Sequence, residues 1–177
     1  MDPCGLVAAI NLCQIARRIA VLSQASDRVG RKFSQAYLDQ LFSASDVSKF
    51  VEINGYLCGS DTYDRSQPTY GFPGPIFVFV ESLVWFSQSI RSGAWTYHEA
   101  TPPLRQAAML QALREHAPEE LVLQFAGGMK DWRNMSKIAQ VDEWIRARED
   151  VCNRWLWHLL LDHRPAIELL CGQIPMH

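Results

Sequence analysis

Excess charge of either sign is missing from this chain. Lys and Arg total 17 and Asp and Glu 19, for a net charge of -2, and residues 1–78 divide seven basic against seven acidic. Binding nucleic acid through phosphate neutralisation calls for a basic stripe, and mimicry of DNA calls for massed carboxylates. Neither is present, so no nucleic-acid partner is expected. The sequence also lacks a C-x-x-C pair, an H-E-x-x-H, a G-x-S-x-G elbow, a phosphate loop and a G-x-G-x-x-G, so no metal or cofactor is expected. The five cysteines (Cys4, Cys13, Cys58, Cys152, Cys171) are odd in number and scattered, a pattern of reduced thiols rather than a disulfide frame. No basic n-region follows Met1-Asp2-Pro3, and the longest apolar run, "PIFVFVESLVWFSQSI", carries Glu81. The expectation is a cytoplasmic chain with no membrane partner.

What is abundant is apolar and aromatic. Hydrophobic residues make up 48% of the 177, with six Trp, eight Phe and five Tyr. One domain over 1–177 is the simplest division, with an N-terminal subdomain 1–58 and a C-terminal helical half 76–177 as the alternative.

Helical spacing dominates. Asp2-Pro3 starts a helix that Leu6, Ile10, Cys13, Ala16 and Ala20 carry to about residue 25, and "SDRVGRK" turns the chain. Phe33, Tyr37, Leu38 and Leu41 resume the period, and Ser45 caps a short helix, "DVSKFVEI", ending at Asn54-Gly55. A hairpin across Asn54-Gly55 is the competing reading. Further helices are expected over 76–91 with Gly93 as stop, from Thr101-Pro102, and from Ala117-Pro118-Glu119-Glu120 to a stop at Gly127-Gly128. Ser136 opens the longest, 137–163, with Val141, Ile145, Cys152, Trp155 and Leu159 on one stripe, and Pro165 starts a last short helix ended by Gly172. The expected fold is all-α, a compact bundle of six to eight helices.

One irregular segment interrupts it: "GSDTYDRSQPTYGFPGP", residues 59–75. A loop this long in a compact domain points to function or to a linker. Tyr63, Asp64 and Tyr70 on it are candidate partner-binding residues. A second candidate stretch is "IRSGAWTYHEATPP", residues 90–103, where Trp95, Tyr97 and His98 crowd between two helices. Gly93 can take the positive φ that closes a helix, which makes an extended corner whose aromatics pack inward one reading. A recognition site on Trp95, Tyr97 and His98 is the other.

Groups with chemistry elsewhere are thin. His158 and Asp162 share a helix face, while His158 and His163 stand about 140° apart. Cys58 near Asp61 and His98 beside Glu99 are the remaining nucleophile and acid–base candidates. "VDEWIRARED" places Asp142–Arg146, Arg146–Asp150 and Asp150–Arg154 at i, i+4, a self-satisfied charged face. Trp144 and Trp155 fall on one side of helix 137–163 and Trp157 on another, which makes a homodimer through that helix a candidate assembly.

Ser92-Gly93-Ala94-Trp95, followed by "LRQAAMLQALREHAP" and "VDEWIRAREDVCNRWLWHLLLDHRP", resembles over residues 76–165 a family of small helical bacterial proteins built around an Asn-Gly-Gly-aromatic turn. Gly93 and Trp95 fit that turn; Ser92 and Ala94 replace its Asn and second Gly. That family includes a dimeric DNA mimic and immunity-like relatives, so the resemblance implies a helical protein that neutralises or regulates another protein, such as a toxin or an enzyme. Two other functions stay open: a small enzyme using His98, Glu99 or Cys58, and an apolar small-molecule bundle between helices 76–91 and 137–163.

Overall fold

The computed structural model describes residues 33–43 and 46–171. The helix expected over the first 25 residues, the turn at "SDRVGRK", Ser45 and the stop at Gly172 lie outside the described residues. Among the described residues the chain is all-α, with nine helices and no strand. They run α1 (Gln35–Ser43), α2 (Lys49–Cys58), α3 (Gly74–Ser92), α4 (Ala94–Ala100), α5 (Pro103–His116), α6 (Glu119–Asp131), α7 (Met135–Ala147), α8 (Glu149–Asp162) and α9 (Arg164–Cys171). Residues 59–73 join α2 to α3 without regular structure. Helix, not hairpin, crosses Asn54-Gly55.

Helix α3 is the axis of the packing, with α4, α5, α7 and α8 all against it. Pro75 sits in its first turn, where no amide hydrogen is needed, and Gly93 at φ 96° ends it. Between those signals Ile76, Phe77, Val78, Phe79, Val80, Leu83, Trp85 and Phe86 are all buried. A helix that is apolar on every side belongs inside, and each such side chain contributes about 1.5–3 kcal/mol on burial. At the other end of the sequence, α9 packs on α2 and α8. Phe33 N donates to Cys171 O at 2.9 Å, and Arg164 pairs with both Asp39 and Glu168.

Several expected boundaries move, which is why the count exceeds eight. The helix expected over 137–163 is two helices, broken at Arg148, whose φ of -120° and ψ of 20° leave the helical region. Glu149 and Asp150 then open α8, where carboxylates favour the positive end of the dipole. The expected charge ladder does not form. Among the described residues none of its three pairs forms a salt bridge, and Asp142 is buried. Of the apolar stripe read along this stretch, Val141, Ile145, Cys152 and Leu159 are buried in the core. Trp157 faces Phe50, ring centroids 5.7 Å apart. Helix α2 runs past Asn54-Gly55 to Cys58, and α6 runs past Gly127-Gly128 to Asp131. Residues 94–100, expected to be extended, are the helix α4.

Candidate functional site

The corner at residues 90–103 is held from outside itself. Helix α4 is seven residues long, too short to be stable alone, and side chains from two other helices cap it. At its start the Asp142 carboxylate of α7 accepts from Ala94 N at 2.7 Å. At its end the Gln106 amide of α5 donates to His98 O at 2.9 Å and Thr101 O at 2.7 Å. Burial raises the Asp142 carboxyl above the usual range, and the Ala94 N–H opposes that shift. The Thr101 hydroxyl, expected to cap the next helix, makes no such bond; Pro102 stands at that cap.

Clamping α4 turns its aromatics inward. Tyr97 has 0% of its surface exposed and His98 2%, so neither offers a surface to a partner and the inward corner describes them. Trp95 is half-buried beside them, with its indole against Gly93, where an added Cβ would meet Trp95 Cδ1 at 2.8 Å. The Tyr97 hydroxyl donates to Glu81 Oε1 at 2.7 Å, and the Tyr70 hydroxyl donates to Glu81 Oε2 at 2.7 Å. Two residues singled out from separate stretches thus meet on one carboxylate of the central helix. Glu81 is 1% exposed. Burial raises its pKa above the ordinary value, and the two phenol hydrogen bonds and the Arg105 charge work against that rise.

His98 makes one hydrogen bond, Nδ1 to Gln106 Oε1 at 3.0 Å. Both Gln106 amide hydrogens are committed to carbonyls, so Oε1 is the acceptor and Nδ1 carries the imidazole proton. The bare Nε2 is buried without a partner, and burial lowers the pKa, so the ring is neutral. Nε2 lies against Gly128, where an added Cβ would come within 2.5 Å of it. Glu99, the acid–base partner considered for His98, is exposed while His98 is buried.

Tyr70 also fastens the 59–73 loop. Its ring lies 5.3 Å from Tyr63, and Tyr63 stacks on Phe72 at 5.8 Å. Tyr70 is the one non-glycine described residue at positive φ, 56°, followed by Gly71 at 78°. A left-handed conformation costs an ordinary residue about 1–2 kcal/mol, so the anchor holds the loop against its own preference. The Asp64 carboxylate accepts from Ser66 N at 2.8 Å and Ser66 Oγ at 2.7 Å, shaping the tip from within.

From the helix side, Arg105 finishes the fastening. Its guanidinium stacks on Tyr70 at 4.1 Å and donates to Arg65 O, Gln67 O and Pro68 O. Residues 65–68 are exposed beyond it. The residue before Arg105, Leu104, is 73% exposed. Nothing in the sequence marked Arg105 or Gln106. Glu81 had a signal, a charge inside the longest apolar run.

The other chemical candidates do not assemble. Burial pushes the Cys58 thiol up to about 11, away from a reactive thiolate. Among the described residues no three His, Cys, Asp or Glu side chains are placed to hold a metal, and no helix is long and apolar enough to cross a membrane. Trp144 and Trp155, from different helices, line one small notch with Arg148 and Val151, about 40 Å³ in volume.

No family model, curated protein or solved structure matches this chain.

Proposed function

We propose that this chain is a non-catalytic, cytoplasmic protein-binding module that neutralises or regulates another protein, in the manner of an immunity protein. Its recognition surface is the tip of the 59–73 loop together with the start of α5. The observation that carries the reading is the Arg105 staple: one side chain stacks on the buried anchor Tyr70 and holds three loop carbonyls, of Arg65, Gln67 and Pro68. A loop ordered before binding loses little conformational entropy on binding, and that is how a modest surface gains affinity. Exposed Leu104 beside a polar rim of Arg65, Ser66 and Gln67 has the anatomy of a binding hot spot. Tyr63, Asp64, Tyr70 and Tyr97 serve that surface from beneath by fixing its shape.

The test is affinity capture from the native host with mass spectrometry, run in parallel on the parent chain and on Leu104→Asp. Asp is compatible with a first helical turn, so the variant keeps the parent melting temperature. The expected result is one stoichiometric partner on the parent and at least about tenfold less of it on the variant. Equal capture by both chains, or no partner on the parent, overturns the reading.

A further inference from the structure

A second surface lies away from the loop, on α8. Val47, Asp150, Asn153, Arg154, Trp157 and His158 line an open groove of about 240 Å³. On the α8 side Asn153 and Trp157 are one turn apart and both buried, while Asp150, Arg154 and His158 are exposed above them. Asn153 is 9% exposed, yet among the described residues its amide has no hydrogen-bond partner. Its nitrogen and oxygen are not among the sealed, unpartnered polar atoms, whereas the Trp157 indole Nε1 is. Asn153 itself lines the groove.

A helix position about nine-tenths buried ordinarily carries an apolar residue, and Asn disfavours helix interiors. Both considerations would place an apolar residue here. Residues that break such local rules without an internal gain are where function is expected.

We propose that this groove binds an extended peptide segment of a protein, with the Asn153 amide pairing to its backbone. Asn presents one donor group and one acceptor side by side. A peptide strand offers the complementary pair, a C=O and an N–H, at every other residue. Asp150 and Arg154 give the rim both signs of charge, which suits a neutral backbone better than a strongly charged ligand. Val47 and the Trp157 ring supply the apolar floor and wall for alternate side chains.

The probe is a library of random heptapeptides displayed on phage and selected on the immobilised full chain, with the best enriched sequence then synthesised and titrated. Three chains are compared: parent, Asn153→Leu and Leu104→Asp. Asn153→Leu is expected to melt no lower than the parent and to bind the peptide about tenfold more weakly or worse. Leu104→Asp is expected to bind it unchanged, which separates this groove from the loop surface. On the parent, the Asn153 side-chain amide resonances shift during the titration. Absence of enrichment above a bare support, undiminished binding by Asn153→Leu, or a lower melting temperature for Asn153→Leu (which would make the amide structural) each overturn the proposal.

Discussion

Two neighbouring glycines in α6 are expected to respond to alanine with opposite signs. Gly127 is exposed, and a Cβ there meets nothing within 4 Å. Replacing an exposed helical Gly by Ala gains about 1 kcal/mol, and for a chain of this size that is roughly 2–4 °C in Tm. Gly128 has the same helical backbone and the same intrinsic gain. Its Cβ would sit 2.5 Å from His98 Nε2, 3.2 Å from Cδ2 and 3.4 Å from Cε1, so the imidazole must withdraw by roughly 1 Å to restore ordinary contact. The ring has nowhere to go. Gln106 holds Nδ1 at 3.0 Å, and the Tyr97 and Phe125 rings sit at 5.1 and 5.5 Å.

Overpacking a filled core costs about 1–3 kcal/mol, and displacing the ring also strains a buried hydrogen bond worth about 1 kcal/mol. After the propensity gain, Gly128→Ala is expected to lose about 2 kcal/mol, or roughly 4–8 °C. Thermal unfolding by circular dichroism on both variants reads this directly. A double-mutant cycle with His98→Ala isolates the contact, because in that background Gly128→Ala should turn stabilising, as Gly127→Ala is. Equal Tm shifts at the two positions, or a Gly128→Ala penalty that survives His98→Ala, would refute the account of α6 as a helix carved to admit an imidazole.

Other expectations follow from the same contacts. Asp142→Ala removes the cap on α4 and should cost about 1–2 kcal/mol in urea unfolding, whereas Asp142→Asn, which keeps an acceptor for Ala94 N–H, should cost less. Glu81 has its native pKa raised above an ordinary value of 4.5. Its contribution to stability is therefore full below about pH 4.5 and is lost as pH rises through the native value. The Tm difference between the parent and Glu81→Gln should shift in favour of the variant as pH is raised from 4 to 8, and a difference that moves the other way contradicts the assignment. Tyr70→Phe deletes a hydrogen bond to a buried carboxyl, costs about 1.5–3 kcal/mol, and should speed amide hydrogen exchange across residues 61–69. Arg105→Ala should speed exchange in the same residues with a smaller loss of Tm, since its bonds lie nearer solvent.

What could be read from the sequence was what depends on neighbours along the chain. The apolar run at 76–91 and its glycine stop gave α3, and Pro118 with Glu119 and Glu120 gave α6, because caps and periodicity act within a turn or two. Glycine was misread for the same reason. Gly128 inside α6 looks like a stop locally, and only the ring of a residue thirty positions earlier explains it. The break at Arg148 has no Gly or Pro to announce it. Its supports are a long-range 2.9 Å bridge to Glu120 and a local contact of its guanidinium with the Trp144 ring.

Long-range pairing also explains why the candidate residues were found but their roles were not. Composition and position singled out Tyr70, Tyr97 and His98 as aromatic or titratable groups in irregular stretches, and the structure gathers two of them on Glu81 and the third on Gln106. Their partners are a carboxylate that stands out only as a lone charge in the most apolar helix, and an amide in an alanine-rich helix that no local pattern selects. A polar group inside such a core must be paired, so the need for a partner can be read from one residue and its identity only from the fold. The buried network spends its chemistry on shape, fixing a short helix at both ends and a strained loop at its root. The two surfaces proposed for binding, the outer edge of that loop with Leu104 and the groove over Asn153, lie outside this network.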